Sequence, residues 1–338
     1  MIKYLGSKRQ LIPQILTTVS QANPKATQVL DLFSGTSRVG HAFKKAGYQV
    51  FSNDHNAYAF CLAQCYVESD LSDHGDEAQR WIDKLNSLPG KPGYFTETFC
   101  IKSRFFHPKN GEKIDAIREA LASENISPNL MAVLLVSLME AADRVDSTCG
   151  IQMSYLKSWA PRAGNELQLR LPNLLPRSNH GPGKAHCLDA LDASRELKAE
   201  VIYVDPPYNQ HNYRRNYHIW ETLVLWDKPE FYGIASKRID CKSHQSSFNK
   251  KNQFIHAFSE LISNLRAQTL VVSFNNEGFI SQPEMESLLA QRGKVSVQTI
   301  DYKRYVGAQI GIYSPKGKIV GEVSHLRNKE FLYTVAMA

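Results

Sequence analysis

The chain has 338 residues, of which 43% are hydrophobic and 22% are charged, and its formal net charge is +7. This composition predicts a folded globular protein with one large core and a subsidiary domain, and the lack of any bilayer-length apolar run argues against a membrane protein. The positive charge favours an acidic partner, most often a nucleic acid. The start of the chain does not resemble a signal peptide, so we expect a cytoplasmic protein.

The cysteines predict neither a disulfide framework nor a metal site. There are six of them, with no Cys-x-x-Cys pair and no histidine at zinc-finger spacing. We therefore expect reduced thiols in the core. Cys61 and Cys65 lie one helical turn apart, but without companion ligands this pair does not indicate a bound metal ion.

The first predicted element is an amphipathic helix with Leu11, Ile12, Ile15 and Leu16 on its apolar face. Lys8 stands near its start, where a cation opposes the helix dipole unless it has an anionic partner. A bound zwitterionic amino acid would be such a partner. The alternative is a solvated Lys-Arg pair.

The next predicted unit is a strand at residues 29–32, followed by a turn that contains Gly35 and a helix that contains Val39, Ala42 and Phe43. Doubly wound sheets bind nucleotide-like cofactors at such turns, although any α/β protein has similar units. The turn lacks the Gly-x-Gly-x-x-Gly fingerprint of dinucleotide-binding proteins, which disfavours a nicotinamide-dependent oxidoreductase.

An acidic residue follows the second predicted strand, at residues 48–51. Asp54 stands about twenty residues after the glycine turn, where a carboxylate can accept hydrogen bonds from the two hydroxyls of a ribose. Asp54 or Asn56 could also cap the following helix, and the two roles are compatible.

Residues 67–185 differ in character from the segments on either side. Apolar periodicity over residues 114–121 and 130–139 predicts helices, interrupted by Pro-Gly pairs and a polar loop at residues 177–183. We expect an inserted, mostly helical domain that divides an α/β domain into residues 1–66 and 186–338. Within the insert, residues 143–159 mix hydroxyl, aromatic and cationic side chains, including Lys157, which suits DNA contacts and an ordinary packed turn equally well.

The apolar strand predicted at residues 201–204 ends in Asp205-Pro206-Pro207-Tyr208. The Asp205 carboxylate and the rigidly held Pro206 carbonyl could accept both N–H bonds of an exocyclic amino group, and Tyr208 could stack on the ring. The alternative is a simple turn after a strand.

The remaining predicted elements include a basic loop and a C-terminal hairpin. Lys237, Arg238, Lys242 and Lys250 lie between two helical patterns, as expected of a loop along phosphates or of a solvated polar loop. Strands are predicted at residues 270–274 and 331–335, the latter pairing with residues 301–305 at the sheet edge, where Lys303 and Arg304 would touch DNA or protect the edge.

The order of these motifs resembles the adenine-specific DNA methyltransferases of the Dam type, and it is most similar to the FokI-like modification methylases. The resemblance rests on residues 3–9 (Lys-Tyr-Leu-Gly-Ser-Lys-Arg), 31–35, 53–54 and 205–208. Further matches are Asn209, Tyr213, Asn216, Tyr217, His218 and Glu221. One departure is Ser37, where many members have a second glycine.

The resemblance implies a doubly wound, Rossmann-like methyltransferase sheet and S-adenosylmethionine as cofactor. It implies that Lys8 binds the cofactor carboxylate and that Asp189 either binds the cofactor adenine or caps a helix. The implied cofactor residues are Tyr4, Gly6, Ser7, Lys8, Asp31, Phe33, Ser34, Gly35, Thr36, Asp54 and Asp189. The insert would recognise the target sequence.

The hypothesis for function is methyl transfer to the exocyclic amino group of an adenine flipped out of duplex DNA. The predicted catalytic residues are Asp205, Pro206, Pro207 and Tyr208. The candidate DNA-binding residues are Asn209, Tyr213, Lys157, Lys237, Arg238, Lys242 and Lys250. By the same resemblance, we expect a monomer that modifies DNA beside a separately acting restriction endonuclease.

Three alternatives use similar features. An RNA adenine or an N4-cytosine methyltransferase would grip its amino group with the same tetrapeptide, and a non-catalytic DNA-binding module could retain the fold. A protein glutamine methyltransferase typically has Asn where this chain has Asp205, which argues against that activity.

Overall fold

The computed structural model describes residues 1–243, 245–303, 312–313, 319–321 and 327–337. The strands are β1 (Gln28–Asp31), β2 (Gln49–Asn53), β3 (Lys184–His186), β4 (Val201–Val204), β5 (Phe231–Tyr232), β6 (Lys237–Arg238), β7 (Thr269–Asn275), β8 (Gly293–Lys303), β9 (Ile312–Tyr313), β10 (Ile319–Gly321) and β11 (Arg327–Met337). The helices are α1 (Ile12–Ala22), α2 (Arg38–Lys45), α3 (Ala57–Ala63), α4 (Leu71–Ser87), α5 (Tyr94–Thr96), α6 (Pro108–Ala122), α7 (Pro128–Val145), α8 (Ala190–Glu196), α9 (Tyr213–Asn216), α10 (His218–Leu225), α11 (Lys251–Asn264) and α12 (Gln282–Ala290).

A seven-stranded sheet organises the fold, with the strand order β3-β2-β1-β4-β7-β11-β8. The pairs from β3 to β7 are parallel, whereas β11 is antiparallel to both of its neighbours. The chain crosses from β1 to β2 on one side and returns to β4 on the other, so the strand order reverses beside β1. The predicted doubly wound α/β sheet is therefore confirmed.

Helices cover both faces of the sheet because the central strands are apolar on both sides. In β4, Val201 and Tyr203 pack on the face covered by α1 and α2, whereas Ile202 and Val204 pack on the face covered by α8, α11 and α12. This two-sided burial explains why the sequence shows a continuous apolar run there.

The helices of the predicted insert form a core of their own together with α3 and α10. The periodic segments that predicted helices lie within α6 and α7, and Trp220 of α10 is buried in the same cluster. Two details differ from the expectation. Strand β3 begins at Lys184, inside the predicted insert, and residues 146–183 are mostly irregular and contain only the short helical turn Pro161–Gly164.

The C-terminal strands pair largely as predicted. β8 and β11 are antiparallel, but residues 331–335 pair with residues 295–299 instead of 301–305, and β11 lies inside the sheet while β8 forms this edge. Arg304 and Tyr305 lie outside the described residues. Among the described residues, no helix combines the length and apolarity needed to cross a bilayer.

The cysteine prediction is right for some residues and wrong for others. Cys61, Cys65, Cys100 and Cys241 are buried thiols, whereas Cys149 and Cys187 are exposed. Spacing could exclude a zinc finger, but it could not reveal which thiols lie in loops.

Candidate active site

The carboxyl ends of β1, β2 and β4 meet where the strand order reverses, which is the usual ligand site of open α/β sheets. Asp31 ends β1, Asp54 follows β2 and Asp205 follows β4, and all three line one cavity of about 410 Å³. Residues that are far apart in the sequence are therefore brought together by the sheet topology.

Most of the predicted site residues line this cavity. Those from the cofactor prediction are Tyr4, Gly6, Ser7, Lys8, Asp31, Phe33, Ser34, Gly35, Thr36, Asp54 and Asp189. Those from the catalytic and DNA predictions are Asp205, Pro206, Pro207, Tyr208 and Tyr213. The wall also includes Asn212, Arg214, Gln245, Ser246, Phe248 and Asn249, none of which the sequence predicted as site residues.

Two aspartate side chains fix the glycine turn in the cavity wall. The Gly35 amide donates to Asp54 Oδ2 over 3.0 Å, and the Gly40 amide donates to Asp31 Oδ2 over 3.0 Å. Gly35 has a φ of 49°, which glycine adopts without the clash of a Cβ atom. The turn is thus held open by hydrogen bonds rather than by bulky side chains.

Ser37, the departure from the family pattern, also adopts the left-handed conformation, with φ 56° and ψ 21°. The structure therefore keeps the backbone path that a glycine would take. A residue with a Cβ atom is strained in this conformation by about 1–2 kcal/mol.

We expect Ser37→Gly to raise the free energy of unfolding by about 0.5–1 kcal/mol, because relief of strain outweighs the greater freedom of glycine in the unfolded chain. Ser37→Ala is the matched control, since it removes the hydroxyl and keeps the Cβ atom. Denaturant unfolding measures both variants. Equal stabilisation by alanine and glycine would assign the gain to the hydroxyl and not to the backbone.

Buried polar atoms in the cavity wall indicate that it is built for a polar ligand. Ser7 Oγ, Ser34 Oγ and Asp31 Oδ1 are buried and have no hydrogen-bond partner among the described residues. Burial and the nearby Asp205 carboxylate raise the pKa of Asp31 to about 8. Because an unmade hydrogen bond in a buried site is costly, these oxygens fit contacts with the polar groups of a cofactor such as S-adenosylmethionine.

Asp54 and Glu221 organise the start of α3 at the cavity edge. Asp54 Oδ1 accepts hydrogen bonds from the amide and the side chain of Asn56, both over 3.0 Å. The first amides of α3, from Ala57 and Tyr58, donate to the buried Glu221 carboxylate over 3.1 and 3.0 Å. The capping role considered for Asp54 or Asn56 is thus performed mainly by Glu221, from α10.

The N-terminal segment is held against α9 and α10, which follow the loop at residues 205–212; this loop contains the predicted catalytic tetrapeptide and is named the catalytic loop for that reason. The Tyr4 ring stacks on Tyr213 and Tyr217, with centroids 5.2 and 4.6 Å apart. The Leu5 amide donates to the Tyr217 hydroxyl over 2.6 Å. These contacts place Gly6, Ser7 and Lys8 in the cavity wall.

Lys8 has two protein anions beside it. Its buried ammonium lies 3.1 Å from Asp205 Oδ1 and 2.6 Å from Glu330 Oε1. The sequence indicated that Lys8 needs an anionic partner, and the protein carboxylates Asp205 and Glu330 are two such partners. Lys8 therefore links the start of the chain to the catalytic loop and to β11.

Asp205 is only partly buried, with 18% of its side chain exposed to the cavity. Burial raises its pKa, the Lys8 ammonium lowers it and the Glu330 carboxylate raises it, and the result is a pKa of about 6. At neutral pH the carboxylate is therefore mainly charged and able to accept hydrogen bonds.

Tyr208 is fixed by its neighbours on the sheet. Its hydroxyl accepts a hydrogen bond from Asn275 Nδ2 over 2.8 Å, and its ring meets Phe274 edge-on at 5.2 Å. The adjacent Asn209 is also fixed, because its carbonyl accepts a hydrogen bond from Asn249 Nδ2 over 2.9 Å. The loop after β4 is thus pre-organised by residues far along the chain.

Asp189 has the capping role that the sequence left open. Its side chain accepts a hydrogen bond from the Leu191 amide over 2.9 Å at the start of α8. It also lines the cavity, so contact with a cofactor is compatible with the cap.

The candidate DNA-binding cations have different surroundings. Lys237 and Lys242 lie over the Tyr232 ring, at 5.9 and 4.6 Å, and Lys157 is exposed in the insert. Lys250, half-buried, precedes α11.

Arg238 does not fit the role expected from the sequence. Its side chain is 4% exposed and its guanidinium pairs with Asp227 and Asp240, at 2.7 and 3.0 Å. Charge pattern alone could not distinguish it from the neighbouring lysines. Its ion pairs with two acids give it a structural role in the loop instead of a free cation for a phosphate.

The irregular part of the insert packs beside the catalytic loop. The Gln152 amide donates to the Asn216 carbonyl over 2.8 Å, and the Gln152 side chain accepts from the Ile219 amide over 2.9 Å. Thr148 and Tyr155 pair across the same loop. The segment that the sequence suggested for base or phosphate contacts therefore lies against the helices that follow Asp205.

Residues 4–280 match the D12 class N6 adenine-specific DNA methyltransferases. Because the match spans most of the chain and the sheet and tetrapeptide agree with it, the chain belongs to this family. The family uses S-adenosylmethionine as methyl donor.

Individual relatives support the same assignment. The chain is 30% identical over 323 residues to modification methylase StsI of Streptococcus sanguinis, covering 90% of this chain and 49% of that protein. It is 30% identical over 324 residues to type II methyltransferase M.FokI of Planomicrobium okeanokoites, covering 90% and 50%. It is 28% identical over 341 residues to type II methyltransferase M.NlaIII of Neisseria lactamica, covering 98% and 100%. The chain thus spans about half the length of the first two relatives and all of the third.

Proposed function

We propose that this protein transfers a methyl group from S-adenosylmethionine to the exocyclic amino group of an adenine in duplex DNA. The main support is the placement of Asp205-Pro206-Pro207-Tyr208 in the wall of a cavity that also contains unpartnered buried oxygens. Family membership independently favours adenine over other amino-bearing substrates.

The cofactor would be held by the glycine turn and its neighbours. Asp54 lies at the end of β2, where it can accept hydrogen bonds from a ribose while it keeps the Gly35 amide. Ser7, Ser34 and Asp31 offer the oxygens that lack partners. When bound, the cofactor supplies an electrophilic methyl group.

The catalytic loop would activate the amino nitrogen by accepting hydrogen bonds from its two N–H groups. As the nitrogen bonds to the methyl group and S-adenosylhomocysteine leaves, one of the two protons would pass to Asp205. That nitrogen is a weak nucleophile because its lone pair is delocalised into the adenine ring. Asp205 and the Pro206 carbonyl, as two acceptors, would draw the nitrogen toward a tetrahedral geometry and free the lone pair. Tyr208 would stack on the flipped base. No covalent intermediate with the protein is required.

The insert, residues 67–185, would recognise the target sequence, and the basic loop would contact phosphates. Support comes from the packing of residues 146–159 beside the catalytic loop and from the cations Lys157, Lys237, Lys242 and Lys250. Tyr213, which lines the cavity, and Asn209, which follows Tyr208 in the loop, would contact the nucleotide next to the flipped base.

Phosphate contacts predict a specific salt dependence. We expect Lys242→Ala and Lys157→Ala each to weaken DNA binding at all sequences and to lower the slope of log K against log[salt] by about 0.9, the value for one phosphate contact. Fluorescence anisotropy with duplex DNA at several salt concentrations measures the slope. Lys25→Ala is the control, because this exposed lysine precedes β1 at the opposite edge of the sheet. A slope unchanged from the wild type would remove that lysine from the interface.

The names of the relatives, which are modification methylases and type II methyltransferases, support a role in DNA modification. We propose that the protein is the modification enzyme of a restriction-modification system, acts as a cytoplasmic monomer and has a companion endonuclease that works separately. Sedimentation analysis with and without a duplex tests the monomer.

Incubation with radiolabelled S-adenosylmethionine and unmethylated duplex DNA, RNA or protein tests the proposed activity. We expect label in unmethylated duplex DNA. DNA that is already methylated at adenine should take up no label. Label in RNA would favour the RNA methyltransferase, and DNA binding without any transfer would favour a non-catalytic binding module.

A further inference from the structure

Glu330 is a buried carboxylate that the sequence did not mark as functional. It lies in β11, opposite Asn275 of β7 and Ile300 of β8, and it is fully buried. Its Oε1 atom accepts hydrogen bonds from Lys8 Nζ over 2.6 Å and from Ser273 Oγ over 2.5 Å. Its Oε2 atom has no partner among the described residues.

Burial of this carboxylate is energetically unfavourable, so its presence in the sheet indicates a specific role. A charged group in the middle of a sheet loses its hydration, and a well-packed apolar residue would often be as stable or more stable there. The ion pair with Lys8 offsets the hydration that the Glu330 carboxylate loses. Lys8 in turn contacts Asp205 at 3.1 Å, so one ammonium is shared by two carboxylates, one from the loop after β4 and one from the C-terminal strand β11.

Because two carboxylates share the Lys8 ammonium, the position of the ammonium is restricted. A lysine bound only to Asp205 could follow that side chain as it moves, because its stem has several rotatable bonds. With Glu330 fixed on the sheet by Ser273, the ammonium is held at one point, and the Asp205 carboxylate is oriented against it.

We propose that Glu330 is a positioning residue of the active site, which anchors Lys8 to β11 so that Lys8 holds the Asp205 carboxylate toward the target amino group. This inference rests on the proposed methyl transfer. It assigns to the C-terminal strand a part in a reaction for which the sequence motifs name only residues of the first two thirds of the chain.

The charges around Asp205 predict how the rate of methyl transfer should depend on pH. The titratable groups that face Asp205 or its partners are Lys8 beside α1, Glu330 in β11, Asp31 in β1, Tyr203 in β4, Tyr208 in the catalytic loop and Tyr213 in α9. Of the two nearest charges, Lys8 lowers the pKa of Asp205 and Glu330 raises it. Loss of the Glu330 charge therefore lowers the pKa of Asp205, and loss of the Lys8 charge raises it.

The test is the single-turnover rate of methyl transfer to unmethylated phage DNA, measured from pH 5 to pH 9 with saturating cofactor. For the wild type, the rate should fall as the pH drops through about 6, where Asp205 becomes protonated. We expect Glu330→Gln to lower the plateau rate about tenfold or more, with unchanged binding of cofactor and DNA, because the carboxylate is less well oriented. Its acidic limb should move to lower pH, whereas that of Lys8→Met should move to higher pH, each by about one pH unit.

The matched control is Asp115→Asn, the same chemical change at a buried carboxylate in α6 that accepts hydrogen bonds from Gly93, Phe95 and Thr96. It should lower stability without moving the acidic limb. A wild-type rate and limb in Glu330→Gln would overturn the positioning role. If that variant does not fold, Glu330→Asp decides: a slow rate with an unmoved limb supports the role, and a wild-type rate overturns it. Absence of transfer by the wild-type protein would instead refute the proposed function itself.

Discussion

We expect Asp205→Ala to abolish methyl transfer to DNA while its affinity for S-adenosylmethionine stays within about twofold of the wild-type value. In the proposed mechanism this carboxylate is one of the two acceptors for the target amino group. The other acids of the cavity wall already accept hydrogen bonds from backbone amides: Asp31 from Gly40, Asp54 from Gly35 and Asp189 from Leu191. Removal of an acceptor that acts on the transition state lowers the rate by a factor of about a hundred to a thousand or more.

The fold should survive this substitution. Lys8 keeps Glu330 as a counter-ion at 2.6 Å, so no buried cation is left alone. Transfer of labelled methyl groups and calorimetric titration of the cofactor measure the two quantities. Asp192→Ala, at an exposed acid of α8, is the control and should behave as the wild type. Normal turnover in Asp205→Ala would sink the catalytic assignment.

The second large effect is expected at the cofactor site. Asp54→Ala should raise the Kd for S-adenosylmethionine about a hundredfold or more, because it removes a charged acceptor for the ribose and releases the Gly35 amide that shapes the turn. Hydrogen bonds to charged groups contribute about 1.5–3 kcal/mol each, and 1.4 kcal/mol is a factor of ten in affinity.

A graded variant separates the two contributions at this position. Asp54→Asn retains an oxygen for the Gly35 amide but loses the charge, so its Kd should lie between those of the wild type and Asp54→Ala. Titration of S-adenosylhomocysteine, which does not react, gives the same ranking without turnover. An unchanged Kd in Asp54→Ala would mean that the ribose is bound elsewhere.

The residues at strand ends could be predicted from the sequence because their positions follow from topology. Asp31, Asp54 and Asp205 each follow an apolar run, and parallel strands bring such positions to one edge of the sheet. The structure places all three in one cavity. The helices of the insert could also be predicted. α6 buries the periodic apolar residues Ile114, Ile117 and Leu121, and α7 is apolar and buried on almost all sides over residues 130–142.

Contacts between distant segments could not be read in the same way. Glu330 lies in a strand whose pattern indicates only burial, and its pairing with Lys8 depends on the antiparallel insertion of β11 beside β7. Arg238 looked like its neighbouring lysines, and only the fold reveals Asp227 and Asp240 around it.

The backbone conformation of the glycine turn could be predicted only in part from the sequence. The glycine turn was predicted from Gly35, but the sequence left open whether Ser37 preserves the path of the turn. The structure gives Ser37 a left-handed conformation, so the path is kept and the strain is borne by a residue with a Cβ atom. A single sequence could not distinguish this outcome from a rearranged loop.

The most direct test of the account is the chemical identity of the product. Duplex DNA of known sequence would be incubated with the protein and isotopically labelled S-adenosylmethionine, digested to nucleosides and separated by liquid chromatography with mass spectrometry. We predict label in N6-methyldeoxyadenosine alone, only with those duplexes of a set that share one short sequence, and no label with Asp205→Ala. Label in N4-methylcytosine, or equal label with the wild type and Asp205→Ala, would contradict the account.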